Sequence, residues 1–267
     1  MRQNYASNEI AVHLVHDASD PWFQPGFEEL NTYFGDRGEM ETLDVIRSRL
    51  KWNPATLING FSLFYELVVL TDAENAVVGA GDFTVILSHS EIKKGQAAVV
   101  HLSHIWADPT KPSTGIVSRQ MNEVTINATR VALQKAALPI DTPITFAAEM
   151  EPLEAGNEER RRRFKRFLHA GLCIVDPDTI HYFQPDFNSA EDIDKAGKVQ
   201  PLLLTLMLRR IEREAEDETN GAEILHIVSC LYHMYGQTMR VKDMAVVYET
   251  LKAYPAAEAP VRLLKRI

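Results

Sequence analysis

The stretch Ala97-Ala-Val-Val-His-Leu-Ser-His-Ile-Trp-Ala-Asp-Pro109, followed at once by Lys111-Pro-Ser-Thr-Gly-Ile-Val117, decides the fold. Val99 to Trp106 is rich in strand-forming residues. The strand ends at Asp108-Pro109, because proline cannot donate to a sheet ladder. A proline loop then closes on Gly115. Beyond it Val117, Met121, Val124, Ala128 and Val131 recur at spacings of four, three, four and three. That is one face of a helix over roughly 115–137. A strand, a tight loop with one glycine and a long helix therefore follow one another without interruption.

Working outward, Phe64–Thr71 and Val77–Leu87 read as strands around the turn Asp72-Ala-Glu-Asn75, which predicts a hairpin. Upstream, residues 9–15 alternate weakly as a first strand. Residues 21–35 and 39–51 have helical spacing, with Met40, Leu43, Ile46 and Leu50 on one stripe. Downstream, Ile144–Glu149 is a short buried-type strand and Glu158–Ala170 a helix. Gly171 closes that helix where a left-handed residue is needed. Cys173–Val175 starts another strand, 186–200 reads as a polar loop, and Pro201–Leu208 is favoured as a strand. Beyond it, 211–217, 222–235, 240–254 and 258–266 read as helices. The expectation is an α/β (α+β mixed) protein: a mixed twisted sheet flanked by helices over 1–210, and a helical C-terminal extension over 211–267.

The chain has 267 residues, 45% of them hydrophobic and 24% charged, ordinary values for a globular core. A net charge of −9 argues against nucleic acid and anionic lipid as partners. Cys173 and Cys230 form no disulfide framework and read as reduced, buried thiols. The N-terminus carries no apolar signal core and no run reaches membrane-span length, so a cytoplasmic location is expected. No metal site is expected. His101 and His104, three apart on a regular strand, face opposite sides, and His226 and His233 lie about 10 Å apart along a helix.

Two blocks carry a family resemblance. Ala107-Asp-Pro109 with Pro112-Ser-Thr-Gly-Ile-Val117 resembles the strand end and phosphate loop of the GNAT N-acyltransferase superfamily. Phe167-Leu-His-Ala-Gly-Leu172 is similar to that family's Tyr-x-x-x-Gly-Phe. The resemblance covers roughly 60–210 and implies a GNAT-like fold. It also implies acyl transfer from acetyl-CoA, a longer acyl-CoA or an acyl carrier protein to an amine. By it, the thioester lies between splayed strands near Ile105 and Ala107. The phosphates lie on the row Ser113, Thr114, Gly115, Ile116, Val117 and Ser118, with Lys111 and Arg119 adding charge. A helix start of this kind suits an anion, because its backbone N–H groups converge there. The sequence departs from the pattern in three places. Pro112 replaces a Gln or Arg, Val117 a small residue, and Phe167 the tyrosine that protonates the departing thiolate. Tyr182 is the nearest alternative to that tyrosine in sequence. A non-catalytic acyl-CoA-binding or interaction module is the alternative.

For the base, the resemblance points six residues before Ala107, to His101, and Glu149 is the second candidate. Arg160 to Arg166 puts six cations in seven positions. It reads as a solvated helix face or as a dock for CoA phosphates or an acidic carrier protein. The C-terminal stripes Ile224, Val228, Leu231, Tyr235 and Val241, Met244, Tyr248, Leu251 read as helix packing, with homodimerisation as the other use.

Overall fold

The computed structural model describes residues 10–35, 40–111 and 115–267. In chain order the elements are β1 (Ala11–Val15), α1 (Phe23–Phe34), α2 (Leu43–Arg49), β2 (Phe61–Thr71), β3 (Val77–Ser88), α3 (His89–Lys93), β4 (Ala98–Ala107) and α4 (Ile116–Lys135). They continue with β5 (Ile144–Met150), α5 (Glu158–His169), β6 (Cys173–Val175), β7 (Tyr182–Gln184), α6 (Ala190–Ala196) and β8 (Leu202–Arg210). The chain closes with β9 (Glu218–Asn220), α7 (Gly221–Tyr235), α8 (Val241–Thr250) and β10 (Pro260–Leu264).

The sheet runs β1-β2-β3-β4-β5-β8-β6-β10-β9, with β7 on β8. The pairs β1/β2, β2/β3 and β3/β4 are antiparallel. β4 and β5 are parallel, as the crossover through α4 requires. Side chains alternate across the strands, so the core splits by parity. Leu63, Ile86, Val99 and Ala147 face α7. Val68, Val85, Val100 and Phe146 face α4. The α1 and α2 residues Phe23, Phe27, Leu30 and Ile46 pack on Tyr65, Leu67 and Val69, on the same side as α7. Phe164 of α5 packs on Ala148, Met150 and Met207, on the α4 side.

Two features position the site. The β4/β5 pairing ends at His101↔Ala147, yet β4 runs on to Ala107 and β5 to Met150. The two strands therefore part, as the resemblance implied. The register of β4 against β3 also slips, from Phe83↔Leu102 to Asp82↔His104. Ser103 is the extra residue of a β-bulge. Just past the bulge Gly81 pairs with Ile105, and a Cβ on it would stand 2.9 Å from the His104 carbonyl oxygen.

The hairpin, β4, α4, β5, α5 and β8 lie where the sequence placed them. Gly171 has φ +89°, the left-handed value its helix-closing place requires. The C-terminal part differs. Residues 211–217 form turns, and 258–266 contain β10 instead of a helix. Proximity to β6 and β9 offers Pro260–Leu264 ladder partners on both sides, which a solvated helix would forgo. The 186–200 segment holds α6, and β7 precedes it. The helix α7 is buried nearly all round, the pattern of a core helix. Ile224, Val228, Leu231 and Tyr235 are therefore committed to this chain's own core. Sheet and core both cross position 210. Both cysteines are free and buried. No helix among the described residues is long and apolar enough to cross a membrane.

Candidate active site

Where β4 and β5 part, a cavity of about 510 Å³ opens between them. His101, Ser103, His104 and Ile105 border it from β4, Glu149 and Met150 from β5, and Ser118 and Met121 from α4. Phe167 borders it from α5, Tyr33 and Phe34 from α1, and Tyr235 from α7.

The two residues proposed from sequence as proton carriers meet here. His101 Nε2 lies 3.6 Å from Glu149 Oε2, both side chains nearly solvent-free. Glu149 accepts from Tyr235 Oη at 2.9 Å, from Gln184 Nε2 at 2.6 Å and from the Tyr182 hydroxyl. Burial alone would push the Glu149 carboxyl up. The neighbouring imidazole and the hydrogen bonds outweigh it and hold the group below the usual carboxylate range. Burial, then the Glu149 charge, pushes the hydroxyls of Tyr182 and Tyr235 well above their ordinary value, so both stay protonated donors.

Proton counting fixes the His101 tautomer. Tyr235 has one proton and gives it to Glu149. Its oxygen, 3.4 Å from His101 Nε2, can then only accept, so Nε2 carries hydrogen. The basic lone pair of a neutral His101 is on Nδ1, 3.2 Å from Ser103 Oγ.

A second unit stands beside it. His104 Nδ1 lies 2.8 Å from Asp82 Oδ1, and the Tyr65 hydroxyl donates to Asp82 Oδ2 at 2.8 Å. Burial opposes the Asp82 charge, but His104 and Tyr65 overcome it and hold the carboxyl low. The expectation that His101 and His104 face opposite sides is corrected. The extra residue Ser103 resets the alternation and brings both imidazoles to the cavity. The described residues contain no group of three or more His, Cys, Asp or Glu that could hold a metal ion.

The proposed thioester and phosphate positions are distributed as follows. Ile105 borders the cavity, and Ala107 lies at the end of β4, exposed. Gly115 precedes α4 with φ +70°, and its Cβ direction is open space. Ile116 and Val117 open the helix, whose first N–H groups have no partner within it. Ser118 borders the cavity and Arg119 is exposed. Ser113 and Thr114 lie outside the described residues. Lys111 is not turned to the α4 start: its ammonium pairs with Asp72 Oδ2 at 3.1 Å.

The basic run divides by helix geometry. Arg160 and Arg163 pair with Glu151, Arg163 at 2.9 Å. Arg163 and Arg166 border the cavity. Arg161, Arg162 and Lys165 are exposed. Phe167 stands on the cavity wall, where the family pattern has a hydroxyl.

Sequence reasoning missed Tyr235, Gln184, Ser103 and the Asp82–His104–Tyr65 set. Tyr235 lay in an apolar helical stripe. The only signal for the others was polar residues inside strands, Asp82 and Ser103 above all.

No protein-family model matches the sequence, and no curated protein matches it. Solved structures do resemble its shape. NAA60 of Arabidopsis thaliana in complex with acetyl-CoA shares 13% identity over 76% of this chain and 99% of its own, at a TM-score of 0.40. Spermidine N-acetyltransferase of Vibrio cholerae with CoA and spermine shares 11% over 78% and 99%, also at 0.40. Naa50 of Arabidopsis thaliana with a bisubstrate analogue shares 14% over 74% and 97%, at 0.38. In this chain β4 and β5 are parallel, joined by the crossover through α4, and their pairing ends at His101 and Ala147.

Proposed function

We propose that this chain is a divergent GNAT N-acyltransferase that moves an acyl group from acetyl-CoA or a longer acyl-CoA to an amine. One observation carries the reading. The strands β4 and β5 part at His101 and Ala147, and the gap opens into a cavity bordered by a buried His101–Glu149–Tyr235 network.

In this reading the pantetheine arm enters the gap and extends β4 past His101, along the edge that no longer pairs with β5. Strand N–H groups on that edge polarise the thioester carbonyl, the group on which negative charge develops. The diphosphate lies against the start of α4 at Gly115 to Ser118. There the helix dipole and unpaired N–H groups supply the positive field that Lys111, committed to Asp72, does not. Arg119 is exposed in the first turn of α4 and Arg166 borders the cavity, and both would add positive charge.

Attack by the amine requires its nitrogen to lose a proton. His101 takes it through Ser103 Oγ and Nδ1. Glu149 stabilises the imidazolium that results. Phe167 cannot protonate the thiolate, so that proton comes from the same network or from water. The exposed face Arg161–Arg162–Lys165 suits an acidic acyl carrier protein as a second acyl source.

The Phe167 position favours one other reading, a protein that binds acyl-CoA without turning it over. Thiol release from acetyl-CoA, followed continuously with a panel of amines, separates the two. Amine-dependent release that falls in His101→Ala supports the enzyme. Stoichiometric binding without release supports the sensor.

A further inference from the structure

We infer that Tyr232 of α7 is a positioning residue, which acts through the strand β7 to hold the donors that aim the Glu149 carboxylate at His101. His101 and Glu149 are proton carriers on the acyl-transfer reading, and the role rests on that reading. The contacts that give Tyr232 its place stand apart from it. Glu149 accepts from three groups, Tyr182, Gln184 and Tyr235. Tyr182 and Gln184 are the first and last residues of β7. That strand has three residues, and among the described residues its ladder partner is β8. A strand so short has few ladder bonds of its own to fix its place. Phe183, the residue between the two donors, offers its carbonyl oxygen to Tyr232 Oη at 2.8 Å.

Proton counting gives that bond its direction. Thr250 Oγ1, 3.4 Å from Tyr232 Oη, gives its own proton to the Val247 carbonyl at 2.6 Å. Burial pushes the Tyr232 hydroxyl up to about 12, so it keeps its proton and donates it to Phe183. The third donor to Glu149 comes from the same helix. Tyr235 lies three residues on from Tyr232, on one face of α7. α7 thus holds all three donors, one directly and two through β7. Tyr232 does not itself border the cavity, so its effect on the site passes through β7.

The effect has a definite sign. Burial pushes the Glu149 carboxyl up, and the His101 imidazole and the hydrogen bonds outweigh it. The groups facing the carboxylate are His101 of β4, Tyr182 and Gln184 of β7 and Tyr235 of α7, with the Glu41–Arg49 pair acting on Tyr235 from farther off. Tyr232→Phe removes one hydroxyl and keeps the ring. The neighbouring rings of Tyr182 and Tyr248, 5.9 and 5.7 Å away between centroids, keep their contacts. β7 is then released from α7, its donors to Glu149 weaken, and the carboxyl climbs toward the ordinary range.

Carbon-13 NMR of protein labelled at the glutamate carboxyls follows Glu149 directly, its signal identified by its absence in Glu149→Gln. The titration uses neither CoA nor amine. Tyr232→Phe should raise the Glu149 midpoint by about 0.5 pH unit or more, in the same direction as Tyr182→Phe, which removes a donor outright. Val228→Ala, on the same helix and packed in the core, should lower Tm and leave the midpoint in place. A wild-type midpoint in Tyr232→Phe overturns the role of Tyr232. An equal rise in Val228→Ala also overturns it, because any loosening of α7 would then suffice. In acetyl-CoA-dependent thiol release, Tyr232→Phe should lower kcat about 10-fold, part of the full general-base contribution, and leave the KM for acetyl-CoA unchanged. A raised KM at unchanged kcat overturns the positioning role. Absence of thiol release from the wild-type protein would overturn the acyl-transfer reading instead, while the carboxyl titration would still decide what Tyr232 holds.

Discussion

Replacing Glu149 by Gln tests whether the buried network is held by charge. The carboxylate accepts three donors, from Tyr182, Gln184 and Tyr235, and lies beside His101. A hydrogen bond to a charged group is worth about 1.5–3 kcal/mol and a neutral one about 0.5–1.5. The amide of Gln keeps one accepting oxygen. Its NH2 group turns a donor toward at least one donor, and a buried unsatisfied group costs about 1–3 kcal/mol. Together these give a loss of about 3 kcal/mol, roughly two decades in the unfolding constant. For a chain of this size it lowers Tm by about 6–12 °C.

The pH dependence of that loss has a definite sign. The folded carboxyl is held below its unfolded value of about 4.3. The stability it contributes is present above that value and is lost as pH falls through the folded one. Denaturant unfolding of wild type and Glu149→Gln at pH 7, 5 and 3 measures it. The difference should be full at pH 7 and close toward pH 3. A difference under about 0.5 kcal/mol at pH 7, or one that stays undiminished at pH 3, refutes a charge-held network.

Other substitutions probe separate parts of the molecule. Gly115→Ala should cost about 1–2 kcal/mol of stability, since φ +70° disfavours any L side chain. CoA affinity should survive that change, whereas Gly115→Glu should abolish it by adding a negative charge at the helix start; parallel melts and titrations report both. His101→Ala should lower turnover about 100-fold or more with CoA affinity little changed, measured as thiol release. Glu66, buried on the α4 side of the sheet, has its carboxyl raised by burial to about 8. A raised carboxyl contributes stability below its unfolded value and loses it as pH climbs toward 8. Glu66→Gln should therefore gain on wild type by about 1 kcal/mol or more for each pH unit between about 5 and 8, in denaturation series at fixed pH.

What the sequence reveals and what it hides follow from the range of the interactions. The strand from Ala98, the glycine before α4 and the closing Gly171 were legible because a strand end, a helix start and a C-cap depend on adjacent residues. The bulge at Ser103 was not, because it is defined against β3, and with it went the shared face of His101 and His104. The strand β10 shows why pattern alone failed at the C-terminus. Val261 and Leu263 alternate inward, yet five residues with apolar members also fit a helix, and only the waiting edges of β6 and β9 decide. Tyr235 was read as one member of an apolar stripe. Its ring packs there, but its hydroxyl reaches Glu149, which lies 86 residues away in sequence.

The central claim is that the parted strands hold an acyl-CoA thioester. Calorimetric titration of the purified chain with acetyl-CoA tests it most directly, with Gly115→Glu as the paired control. The account predicts one acetyl-CoA bound per chain, lost in the control, whose circular dichroism remains that of wild type. Absence of binding to the wild-type protein, or equal binding to the Gly115→Glu protein, would contradict it.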